Sequence, residues 1–155
     1  MIEISWEEHL QLPMEVKRLQ SILQQFLNDL GHEKRHLIVY LTEDATIQTL
    51  NRQYRNRDKP TDVLSWSYWE DNPDSDTLGE IAISLERTYA QALQNGWDPE
   101  TELIRLLAHG CVHLAGYDHE RSAEEEKQML GVEIALLKKV GLETVYLGEE
   151  PKTDI

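Results

Sequence analysis

The chain has 155 residues, 40% of them hydrophobic and 28% charged, with a net charge of −14 and a single cysteine. Those values suit one globular domain with a proper core, and no apolar run approaches the roughly 20 residues of a membrane span. One cysteine excludes an internal disulfide, in keeping with a reducing cytoplasm. The acidity argues against a nucleic-acid partner unless a local basic patch overrides the global field.

Ile2, Ile4 and Trp6 alternate with polar residues, the period-two pattern of a half-buried strand. Pro13 is expected to open a helix whose apolar residues Val16, Leu19, Ile22, Leu23, Phe26, Leu27 and Leu30 keep three-four spacing, with Gly31 as its stop. His36 to Leu41 reads as a strand covered on both faces. Thr42 is expected to cap a helix running through Ile47, Leu50 and Tyr54, which Pro60 closes. Asp62 to Tyr68 and Gly79 to Leu85 read as two further strands, separated by an acidic, turn-rich loop. Leu85 to Gln94 reads as a helix ended by Asn95-Gly96, and Asp98-Pro99 starts another. Ser122 and Glu125 form a capping box for the last helix, which runs to Val140 and Gly141. The order β-α-β-α-β-β-α-α-α predicts an α+β fold, a small mixed sheet of about four strands packed with helices. We assign residues 1–147 to one domain and 148–155 to a loose tail.

The helix from Pro99 runs into His109-Gly110-Cys111-Val112-His113-Leu114-Ala115-Gly116-Tyr117-Asp118-His119. His109 and His113 are four apart, so they share one helix face a turn apart. Gly116 offers a left-handed stop from which the chain can return His119 to the same point. A histidine pair at this spacing is commonplace on helix surfaces; the glycine and third histidine make coincidence much harder. Three imidazoles can hold a Zn2+ ion and leave a fourth position open, where bound water acquires a pKa near 7. Cys111 sits about 200° around the helix from each histidine of the pair, so it reads as a core thiol. His9, His32 and His36 have no such company and read as structural or surface residues. Where a zinc peptidase places its glutamate base, directly after the first histidine, this chain has Gly110. Asp118 and Glu120 are candidates to accept the free ring N–H of a ligand histidine, or to serve as a general base.

Arg52, Arg55, Arg57 and Lys59 form the densest positive stretch of an acidic chain. Taken alone they read most simply as solvated charges at a helix end. Beside a metal they would suit a phosphodiester, because a guanidinium fork holds two phosphate oxygens at once.

Three stretches together resemble the YbeY-type bacterial endoribonucleases, also called rRNA maturation factors. They are Tyr54 to Ser65 (Tyr-Arg-Asn-Arg-Asp-Lys-Pro-Thr-Asp-Val-Leu-Ser), Leu78 to Ser84 (Leu-Gly-Glu-Ile-Ala-Ile-Ser) and the histidine segment. Their order, separations and the chain length all match; Trp66 and Val112 depart from the usual phenylalanine and leucine. The resemblance implies a single-strand-specific, metal-dependent endoribonuclease that matures the 3′ end of small-subunit rRNA and acts in ribosome quality control. It implies one zinc per chain on His109, His113 and His119, and Arg55 as the arginine tied to activity; nickel or another divalent metal is an open alternative to zinc. Arg52, Arg57 and Lys59 would join Arg55 in binding substrate. It implies a zinc-hydrolase-like fold with the histidine helix central. The expected partners are rRNA precursor, the small ribosomal subunit and its assembly factors, with no membrane and no DNA. Two other readings stay open: a ribosome-assembly binding factor with a structural zinc, and a zinc hydrolase of peptide or amide bonds.

Overall fold

The computed structural model describes residues 1–117, 122–142 and 145. Along the chain come β1 (Ile2–Trp6), α1 (Val16–Asp29), β2 (His36–Thr42), α2 (Asp44–Arg55), β3 (Val63–Ser67), β4 (Thr77–Ser84), α3 (Leu85–Asn95), α4 (Pro99–Leu114) and α5 (Ala123–Lys139). The sheet order is β1-β2-β4-β3, with β1, β2 and β4 parallel and β3 antiparallel along the β4 edge. This is the α+β mixed sheet that the element order predicts. Parallel neighbours need a crossover; α1 supplies it between β1 and β2, and α2 with β3 lies between β2 and β4.

One sheet face carries Leu37, Val39, Leu41, Val63, Ile81 and Ile83, all buried in the main core with α1 and α4. Each such side chain contributes roughly 1.5–3 kcal/mol by leaving water. Helix α4 also meets α3 and α5 and is buried along nearly its whole length, as expected of a central histidine helix. Two glycines allow its close approach. A Cβ on Gly110 would lie 2.9 Å from Ile81 Cδ1, and one on Gly79 would lie 2.2 Å from the Trp66 carbonyl oxygen and 2.8 Å from Leu114 Cδ2. Gly110 is therefore a packing residue, and the sheet sets the depth at which α4 holds its histidines.

Three local expectations are corrected. Helix α1 begins at Val16, not Pro13: Pro13 and Met14 lie in a bend and Glu15 takes the extended cap position, while Leu10, Leu12 and Met14 pack against the core. Thr42 ends β2 instead of capping α2; its hydroxyl donates to Glu7 Oε1, and Glu43 takes the cap position. The exposed end of α2 is served from elsewhere, since Glu86 Oε1 accepts from the Asp44 N–H at 2.8 Å. β2 is fully covered on one face only. Ile38 and Tyr40, on the other, are half-buried, because α2 packs over β3 and β4 and stops short of β2. The segment 148–155 lies outside the described residues.

Candidate active site

Helix α4 starts as its sequence suggests, with Asp98 at the cap position and Pro99 in the first turn. It carries His109, buried, and His113, half-buried, a turn apart on one face. Each ring is held at Nδ1 by a different element. Glu133 of α5 places Oε1 against His109 Nδ1, and Ser65 of β3 places its hydroxyl 2.8 Å from His113 Nδ1. A carboxylate can only accept, so His109 carries its proton on Nδ1 and leaves Nε2, a buried atom, as the ring nitrogen with a lone pair to offer. A hydroxyl can accept likewise, and when His113 binds a cation through Nε2 its Nδ1–H donates to Ser65 Oγ. Imidazoles oriented at the far nitrogen by a carboxylate and a hydroxyl are the donor chemistry that zinc, copper or nickel takes.

Neither holding residue was singled out from the sequence. Glu133 had a visible signal: it lies among Met129, Val132, Leu136 and Leu137 on the inward stripe of α5, where a carboxylate is 4% exposed. Ser65 gives no such signal beyond its place at the end of the first matching stretch. Asp118, His119 and Glu120 lie outside the described residues. Cys111 is fully buried, as helical geometry required, and burial pushes its thiol up to about 12. It is a core residue.

Arg52, Arg55, Arg57 and Lys59 are all exposed at the end of α2 and in the turn that follows. Buried Asn51 organises that turn. Its carbonyl accepts from the Asn56 and Arg57 N–H groups, and its Nδ2 donates to the Lys59 carbonyl at 2.9 Å. Asn56 adopts φ 56°, a left-handed conformation that asparagine tolerates well. The helix therefore stops at Arg55, before Pro60. From this turn the chain enters β3, whose alternation sends Ser65 and Ser67 toward α4 and Leu64 and Trp66 toward α2. Tyr54 stands edge-on to Trp66, ring centroids 5.6 Å apart. The last turn of α2 thus rests on the strand whose other face holds His113.

A second group went unread in the sequence. Glu7, His9 and Glu43 bring their ligand atoms within 4.8 Å of one another, an arrangement that could hold a metal, although exposed acidic groups often occur without one. His9 Nε2 lies 3.3 Å from Glu43 Oε2 and 3.8 Å from Glu7 Oε2. The hydrogen bond from Thr42 is the main cause holding the Glu7 carboxyl below its usual range. Parallel pairing of β1 with β2 places the residues after both strands side by side, and local periodicity carries no trace of that.

A central helix bearing oriented imidazoles across a small mixed sheet defines an α+β protein with a candidate metal centre. The model of the family described as Endoribonuclease YbeY matches residues 3–141. Curated relatives named Endoribonuclease YbeY include one from Aquifex aeolicus (strain VF5), 44% identical over 74% of this chain and 76% of its own. Another, from Desulfitobacterium hafniense (strain Y51), is 40% identical over 91% of this chain and 98% of its own. The solution structure of TM1509 from Thermotoga maritima superposes with a TM-score of 0.60 at 25% identity, covering 98% of this chain and 99% of that one. The chain belongs to the Endoribonuclease YbeY family.

Proposed function

We propose that this chain is a metal-dependent endoribonuclease that cleaves single-stranded RNA, with zinc held by His109, His113 and His119. The observation that carries the metal assignment is the pair of α4 imidazoles, each engaged at Nδ1, by Glu133 and by Ser65. When bound, the ion supplies a Lewis acid for a phosphoryl oxygen and lowers the pKa of water, and nickel or another divalent metal can serve in its place. Glu133 and Ser65 fix the ring orientations. Arg55 clamps the scissile phosphate with its fork, and Arg52, Arg57 and Lys59 hold flanking phosphates. Asp118 or Glu120 is the candidate base. The domain extends over 1–147. Its substrate is an rRNA precursor, trimmed at the small-subunit 3′ end, and its partners are the small subunit and assembly factors in the cytoplasm. Among the described residues no helix is long and apolar enough to cross a membrane.

Arg55→Ala tests the assignment directly. Loss of one donor to a developing oxyanion costs about 10²–10³ in rate. RNA cleavage by metal-defined protein should fall on that scale while metal content stays constant; an unchanged rate would remove Arg55 from the site. Salt titration tests the patch as a whole. Four phosphate contacts to a single strand predict a log–log slope of about −3 for RNA affinity. A slope near zero would show that the four side chains do not touch RNA.

A further inference from the structure

The half-covered face of the sheet forms a cavity of about 450 Å³ between α2, β2, β3 and β4. Four aromatic rings line it: Tyr40, Tyr54, Trp66 and Tyr68. Tyr54 and Tyr68 are 65% and 40% exposed, unusual for large rings that pack against a sheet. We propose that this groove binds an unstacked nucleobase of the RNA, so that the strand passes around edge strand β3 from the histidine centre to the aromatic face. The inference rests on the RNA-cleaving reading and adds a base-binding subsite to it.

Four observations converge on a base as the occupant. Aromatic faces are what single-stranded nucleic acid stacks on, and every base has a flat apolar face to offer. The basic turn directly follows Tyr54 on α2, so phosphates can sit at Arg55 and Arg57 while a neighbouring base enters the groove. The floor carries Glu80, whose Oε2 accepts from the Tyr68 hydroxyl at 2.7 Å. That carboxylate repels a phosphate but accepts from the amino or imino N–H of a base edge. Trp66 Nε1 is buried and finds no hydrogen-bond acceptor among the described residues. It is a donor suited to a base carbonyl or ring nitrogen, and a buried donor left unmet is costly. Donor, acceptor and rings together match a base better than a sugar–phosphate segment.

The arrangement also explains why β3 matters to both sides. Ser65 orients His113 on one face, and Trp66, the next residue, lines the groove on the other.

The test uses zinc-loaded full chain and a short 2′-O-methyl oligouridine, compared with the same backbone made abasic. Wild type should bind the base-containing strand more tightly than the abasic one, and its tryptophan fluorescence should be quenched only by the former. Tyr54→Ala, at an exposed ring, should lower affinity for the base-containing strand about ten-fold and leave the abasic strand unaffected. Tyr54→Phe should restore binding, and Trp66→Phe should abolish the quench. Equal affinity of wild type for both strands would overturn the subsite and point to a protein partner on this face, as would a Tyr54→Ala variant that binds like wild type. Failure of wild type to bind or cleave RNA at all would instead overturn the reading beneath it.

Discussion

Replacing His113 by alanine is expected to abolish metal-dependent RNA cleavage, and replacing Glu133 by glutamine to reduce metal affinity or cleavage by about 10- to 100-fold. The first substitution removes a ring nitrogen outright. The second leaves the shape of the α4–α5 contact intact, since glutamine is nearly isosteric, but removes the negative charge that holds His109 Nδ1–H. It also allows the amide to present its NH2 group, which would favour the opposite imidazole tautomer and turn a protonated Nε2 toward the metal. Glu133 is 4% exposed, so a neutral side chain there relieves desolvation and should not destabilise the fold. Competitive titration against a chromophoric chelator, with cleavage measured in parallel, separates the two effects. If Glu133→Gln binds metal as tightly as wild type, the buried carboxylate serves the packing of α5 and not the histidine.

The contrast between His113 and Glu133 shows where the sequence was legible. His109 and His113 lie on one helix, and a spacing of four is enough to place them together. The nine helices and strands of the described residues were equally readable in type and order, because strand alternation and helix periodicity are local properties. Glu133 and Ser65 reach the histidines from α5 and β3, 24 and 48 residues away in the chain, so only tertiary packing brings them in. The same is true of Glu7 and Glu43 around His9, which meet because two strands pair. β2 was misread as doubly covered for a related reason. Its unbroken apolar run, Leu37 to Leu41, says that both faces prefer cover, but the placement of α2 over β3 and β4 decides how much cover there is. What the sequence suggested as buried surface is the aromatic groove. Asp118, His119 and Glu120 lie outside the described residues.

The largest expected loss of stability lies away from the site, in the first turns of the helix that carries it. Glu102 and Arg105 are 0% and 2% exposed and pair within α4, the Arg105 Nη2–Glu102 Oε2 contact measuring 2.6 Å. The carboxylate also accepts from Arg105 Nε at 2.9 Å, from Trp97 Nε1 at 2.9 Å and from Gln91 Nε2 at 2.7 Å. One anion therefore ties α4 to α3 and to the connection between them, close to the helix start where negative charge is favoured. Glu102→Ala would leave the Arg105 charge buried without that carboxylate and two neutral donors without their acceptor. Breaking a buried pair from one side costs about 3–5 kcal/mol. In a chain of this length each kcal/mol lowers Tm by about 2–4 °C, so the loss should be on the order of 6–20 °C. Replacing both partners by apolar residues of similar volume should recover much of it, because neither charge then has to be desolvated. Calorimetry on the three proteins decides the matter. A single-variant loss below about 1 kcal/mol would mean that the pair behaves like a solvated surface bridge. The depth of α4 would then be set by Gly79 and Gly110 against the sheet, without help from the charges at its start.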